Sequence, residues 1–151
     1  MPNQATYDDA NLILRLYELR REEKLRAARA WFAANFHAAN LEELNQIAPQ
    51  GSEANANMRM VLSYWDMAAA LVTSGVLNQE LFFKSSGELL FAWERFRNLL
   101  PQIRTAFKNT AMFENLETVG NAYIEYFKSK GPEAYAGFQA MVHGRAAAQG
   151  Q

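Results

Sequence analysis

Cysteine is absent, which excludes disulfides, thiolate metal sites and a cysteine nucleophile. Strand formers are sparse: five Val, four Ile and five Thr in 151 residues cannot furnish a sheet of any size. Charge of one sign is also lacking. A formal net charge of −1 creates no global field to attract nucleic acid or an anionic membrane. Long apolar runs are missing too: the least charged stretch, residues 60–79, carries Ser63, Asp66, Thr73, Ser74 and Gly75. It is too polar to span a bilayer. The first residues show neither a basic segment nor an apolar one of the secretory kind, so a cytoplasmic location is expected.

Histidine is nearly as scarce, with His37 and His143 alone. The residue three before each is alanine, Ala34 and Ala140, so no Glu-x-x-His pair can converge on a metal. No His-x-x-x-His, P-loop, Gly-x-Gly-x-x-Gly or Gly-x-Ser-x-Gly pattern occurs. No metal and no cofactor are expected, and both histidines read as surface or capping groups.

What fills the chain is Ala, Leu, Glu, Gln, Arg and Met, residues that lose little side-chain freedom in a helix. The expected fold is all-α, an irregular bundle of five to seven helices with a long N-terminal helix. That helix runs from Asp8 or Asp9 to about Phe36, apolar at both ends and charged on every face at Arg20-Arg21-Glu22-Glu23-Lys24. Such a helix projects outward or bridges to a second subunit, unless it breaks at the charged segment.

Asn40 with Glu43 forms a capping-box pattern for a short helix. Ser52 caps the next helix, which stops at Gly75, and Asn78 caps a short one over residues 79–84. Leu89, Trp93, Phe96, Leu100, Ile103 and Phe107 then step by four and three, a helical seam with Glu88, Arg95, Gln102 and Asn109 on the opposite face. Pro101 lies inside this run and kinks it near Arg97 or ends it just before Pro101. Further helices are expected over residues 113–130 and after Pro132. Residues 1–143 read as one domain and 144–151 as a tail that frays.

The basic residues Arg15, Arg20, Arg21, Lys24, Arg26 and Arg29 are interleaved with Glu18, Glu22 and Glu23, which reads as a solvated face. Ser85-Ser86-Gly87 reads as an ordinary N-cap. A helix-turn-helix over residues 75–96 would open its recognition helix with Gly87-Glu88-Leu89-Leu90, which has no base-reading side chain. Gly120 falls mid-helix, where it permits a close helix–helix approach or opens a small pocket beside Tyr123 and Phe127.

Asp66 is the most unusual residue, the sole charge between Arg59 and Glu80 and next to Trp65 in the buried stripe. A desolvated carboxylate must be paired, hydrogen-bonded or protonated. Arg97 and Arg104 flank the seam and are the candidate partners.

From Tyr64-Trp65-Asp66 through Leu71-Val72 to Gly75-Val76-Leu77-Asn78 the chain resembles a bacterial all-helical family of unknown function. Gly87, Trp93, Leu100-Pro101-Gln102-Ile103-Arg104 and Phe113-Glu114-Asn115-Leu116 continue the resemblance over residues 58–117. Many members carry a membrane anchor ahead of the domain, and no such run is present here. The resemblance implies an all-helical fold, places an acid at Asp66 and supplies no activity.

The expected function is therefore a non-enzymatic protein–protein interaction or scaffold domain that self-associates, with a homodimer as the simplest form and neither nucleic acid nor membrane as partner. The alternative is a small-ligand or sensor domain with an apolar pocket near Trp65, Trp93 and Tyr123 and with Asp66, Arg97 and Arg104 as polar groups.

Overall fold

Side chains cap the first five helices, and these caps divide the N-terminal half. In the computed structural model, which describes residues 4–149, α1 (Tyr7–Arg20) starts at Thr6, whose side chain forms a capping box with Asp9. α2 (Glu23–Asn35) is capped by Glu22, α3 (Leu41–Ile47) by Asn40, α4 (Glu53–Thr73) by Ser52 and α5 (Gln79–Ser85) by Asn78. The last three follow the sequence reading. After α4 the chain turns at Gly75, where φ is +83° and only glycine is unstrained.

The long N-terminal helix is a correction. It is two helices, because Glu22 turns its carboxylate onto the Leu25 N–H at 3.0 Å and starts a new helix there. The segment charged on every face is the turn between them rather than an outward projection. Arg29 of α2 closes this corner by donating to the Arg20 carbonyl at 2.9 Å.

α6 (Gly87–Phe96) and α7 (Leu100–Phe107) share the seam that the periodicity marks, but the helix ends at Phe96 and restarts. Pro101 sits in the first turn of α7, where its missing N–H has no consequence. Phe107 is corrected as well: it ends the seam 57% exposed. α8 (Glu114–Lys128) and α9 (Ala134–Gln149) complete the chain. The described residues thus hold nine helices, not five to seven, and no strand. The helical backbone passes Gly144, where the sequence places the start of a tail, and continues to Gln149. Residues 150–151 lie outside those described.

α4 is the central element, packed chiefly against α2 and α8, with α6 and α9 closing the far side. The core is one contiguous cluster centred on Trp65, Phe32, Phe36, Phe82 and Phe96. Each such side chain stabilises the fold by roughly 1.5–3 kcal/mol through burial alone.

Candidate functional site

Asp66 does not meet Arg97 or Arg104. Its Oδ1 accepts the Leu116 N–H at 2.9 Å, the third residue of α8. The reason lies at Phe113, the residue before α8. Its φ of +56° is strained for a bulky residue and its side chain cannot cap. Asp66, fifty residues earlier, supplies the missing acceptor and ties α4 to the start of α8. Asp66→Ala should therefore lose about 1 kcal/mol in urea denaturation, the worth of an N-cap, and Asp66→Asn much less because its amide oxygen still accepts. Equal stability of the Ala variant and the parent would show that the cap contributes nothing.

The remaining predicted residues are distributed through the packing. Trp65 is 1% exposed, with the Arg20 guanidinium 5.6 Å from its ring. Trp93 donates to Asn121 at 3.2 Å and lies flat against Gly120. Tyr123 donates to the Phe83 carbonyl, and burial pushes its hydroxyl up to about 12. Arg97 pairs with Glu94 at 3.5 Å and Arg104 with Glu117 at 3.0 Å. None of the six lines either of the two cavities described below.

Glu94, not singled out from the sequence, is the focus of a polar centre with Tyr135, Gln139 and His143. Glu94, buried on α6, accepts from the Tyr135 hydroxyl and from Gln139 Nε2 at 3.1 Å, with His143 Nε2 at 3.1 Å from Oε1. Burial pushes the carboxyl up, but these three hydrogen bonds and the nearby Arg97 charge outweigh it and hold the group below its ordinary value. A lowered folded-state value means that this centre stabilises the protein above the usual carboxylate range and loses that contribution as pH falls. The opposite effect raises the Tyr135 hydroxyl, first by burial and then by the carboxylate it serves. A signal did exist: Tyr135, Gln139 and His143 recur at steps of four, a polar stripe along α9.

The neighbouring Arg95 corrects the reading of α6 as polar on that side. It is 5% exposed, and its Nη1 donates to the carbonyls of Phe32, Ala33 and Phe36 at 3.1, 2.7 and 3.2 Å. It caps the C-terminus of α2, which has no basic residue in its own last turn. Beside this pair, His37, Glu43, Asn98 and His143 help line a cavity of about 300 Å³. Both histidines thus face one hollow, yet no group of three potential metal ligands converges among the described residues. Nor is any helix there long and apolar enough to cross a membrane.

The basic face of the N-terminal segment is partly an internal lock. Glu88 of α6 receives Arg29 through two bonds of 2.7 Å and lies 3.6 Å from Arg20. Bidentate geometry of this kind is the strong form of an ion pair. With Tyr64 donating to the Leu16 carbonyl, it holds α1 on the bundle through one face only. The other face exposes Tyr7 (92%), Leu14 (59%) and Tyr17 (49%) to solvent.

No curated protein and no solved structure matches the chain. One family model, the Domain of unknown function (DUF4760), matches residues 5–123, from the start of α1 into α8. That is wider than the stretch over which the motifs are legible, and it takes in the corner made by α1 and α2. The chain belongs to the DUF4760 family, a domain of unknown function.

Proposed function

We propose that this protein is a non-enzymatic helical interaction domain that self-associates through the outer face of α1. The observation that carries this reading is the solvent-facing trio Tyr7, Leu14 and Tyr17 with half-buried Ala10 between them, whose steps of three, four and three repeat the spacing of a coiled-coil seam. Large aromatic side chains gain nothing by standing in water, and a regular stripe of them marks a contact surface.

The occupant that fits is a second copy lying antiparallel. The stripe begins beside the exposed acid Asp8 and ends at Arg21, whose guanidinium lies 5.7 Å from the Tyr17 ring. With Leu14 on the two-fold axis, Tyr7 and Asp8 of one copy face Arg21 of the other, so unlike charges and a cation–π contact meet at both ends. A seam of about 20 Å makes a small interface, so association is weak and concentration-dependent. The non-enzymatic reading is supported by Glu94, whose carboxylate is occupied by partners that dock α9 rather than held ready for chemistry.

Sedimentation equilibrium tests this. The weight-average mass should rise toward a dimer between about 10 and 500 µM, and Leu14→Glu should hold the protein monomeric. Its melting temperature should stay unchanged, because Leu14 is an exposed position. A strict monomer throughout, or a dimer indifferent to Leu14→Glu, would sink the reading.

A further inference from the structure

A second hollow, larger than the one beside Glu94, does not include Asp66 in its lining. It is a groove of about 890 Å³ between α3, the loop after it, α4 and α7. Its size lies within the range of small-molecule sites. Leu44, Met58, Leu62, Phe96, Ile103 and Phe113 form its apolar walls, and Phe107, the exposed end of the seam, stands at its lip. Among the residues lining it, Arg59 alone carries a charge.

Arg59 is held in place. Its Nε donates to Asn55 Oδ1 at 2.8 Å, and the Asn55 amide donates in turn to the Ala48 carbonyl at 3.0 Å. Among the described residues no carboxylate pairs with it, whereas Arg20, Arg29, Arg97 and Arg104 each have an acid. A pre-oriented guanidinium without a counter-charge, at the rim of an apolar groove, complements one kind of molecule.

We propose that this groove binds a single-chain amphiphile, with its anionic head on Arg59 and its alkyl chain along the walls of α3, α4 and α7. The site is separate from the α1 stripe, since no lining residue belongs to α1.

Titration calorimetry of the full chain with decanoate, dodecanoate and tetradecanoate, each below its micellar concentration, tests the proposal. Affinity should rise about fourfold per added methylene until the groove is full. Arg59→Gln should weaken dodecanoate about tenfold and leave dodecanol unchanged, because only the charged head loses a partner. Ala106→Trp, at an exposed lining position, should weaken both probes while leaving the melting temperature intact. The monomeric Leu14→Glu variant should bind dodecanoate as the parent does, which separates this proposal from self-association. Three results would overturn it: no binding of either probe, an equal effect of Arg59→Gln on both, or indifference to Ala106→Trp. Loss of dodecanoate binding on dimerisation, with the groove covered by a second copy, would also count against it.

Discussion

Replacing Arg95 with methionine is expected to destabilise the protein by about 3–4 kcal/mol in urea denaturation followed by circular dichroism. Methionine has nearly the length and none of the donors. The three carbonyls at the end of α2 that Arg95 Nη1 now satisfies would remain, because they belong to the backbone and cannot be removed with it. A buried ion pair can be exchanged for apolar residues at little cost when both partners go. Here only one can. The stacking of the guanidinium 4.5 Å over Phe91 is lost as well. Arg95→Lys should fall between the parent and the methionine variant, since an ammonium cannot span the same set of acceptors in the fork's geometry. A loss below about 0.5 kcal/mol for the methionine variant would show that water satisfies the α2 carbonyls and that Arg95 is not their cap.

Gly120→Ala is expected to cost about 2–3 kcal/mol, although alanine is the better helix former by about 1 kcal/mol. The sign is set by Trp93. A Cβ at position 120 would stand 2.4 Å from Cδ1 and 2.5 Å from Cγ of that indole. The ring is rigid and 3% exposed, and it is anchored by its bond to Asn121, so it has nowhere to move. In a Trp93→Ala background the same change should become neutral or stabilising, since the clash is gone and the helix propensity remains. If Gly120→Ala destabilised both backgrounds equally, the close approach of α6 and α8 at this point would not be the cause.

The two sites differ in how far the sequence announces them. A glycine in the middle of an apolar helical pattern signals a close approach by its cost, and Gly120 is such a case. Arg95 sends no such signal. By helical phase it lies opposite Leu89, Trp93 and Phe96, the side expected to be wet, and it is buried because α2 and α9 cover that side. Asp66 is the reverse case. Its isolation among apolar residues marks it as bonded to something, but the partner proved to be a backbone N–H on α8 rather than Arg97 or Arg104. A donor of that kind carries no mark in sequence, since every residue but proline has one.

Legible from the amino-acid order alone are the secondary structure class, the caps at Asn40, Ser52 and Asn78, the stop at Gly75 and most of the buried stripes. These depend on neighbours within one helical turn, and composition and spacing report such neighbours directly. Where the N-terminal run breaks, which carbonyls Arg95 serves, that Glu94 docks α9 and that an apolar groove opens beside Arg59 are settled by the three-dimensional packing. Each of these depends on which helix faces which, a choice made by the summed packing of the whole core rather than by any local segment.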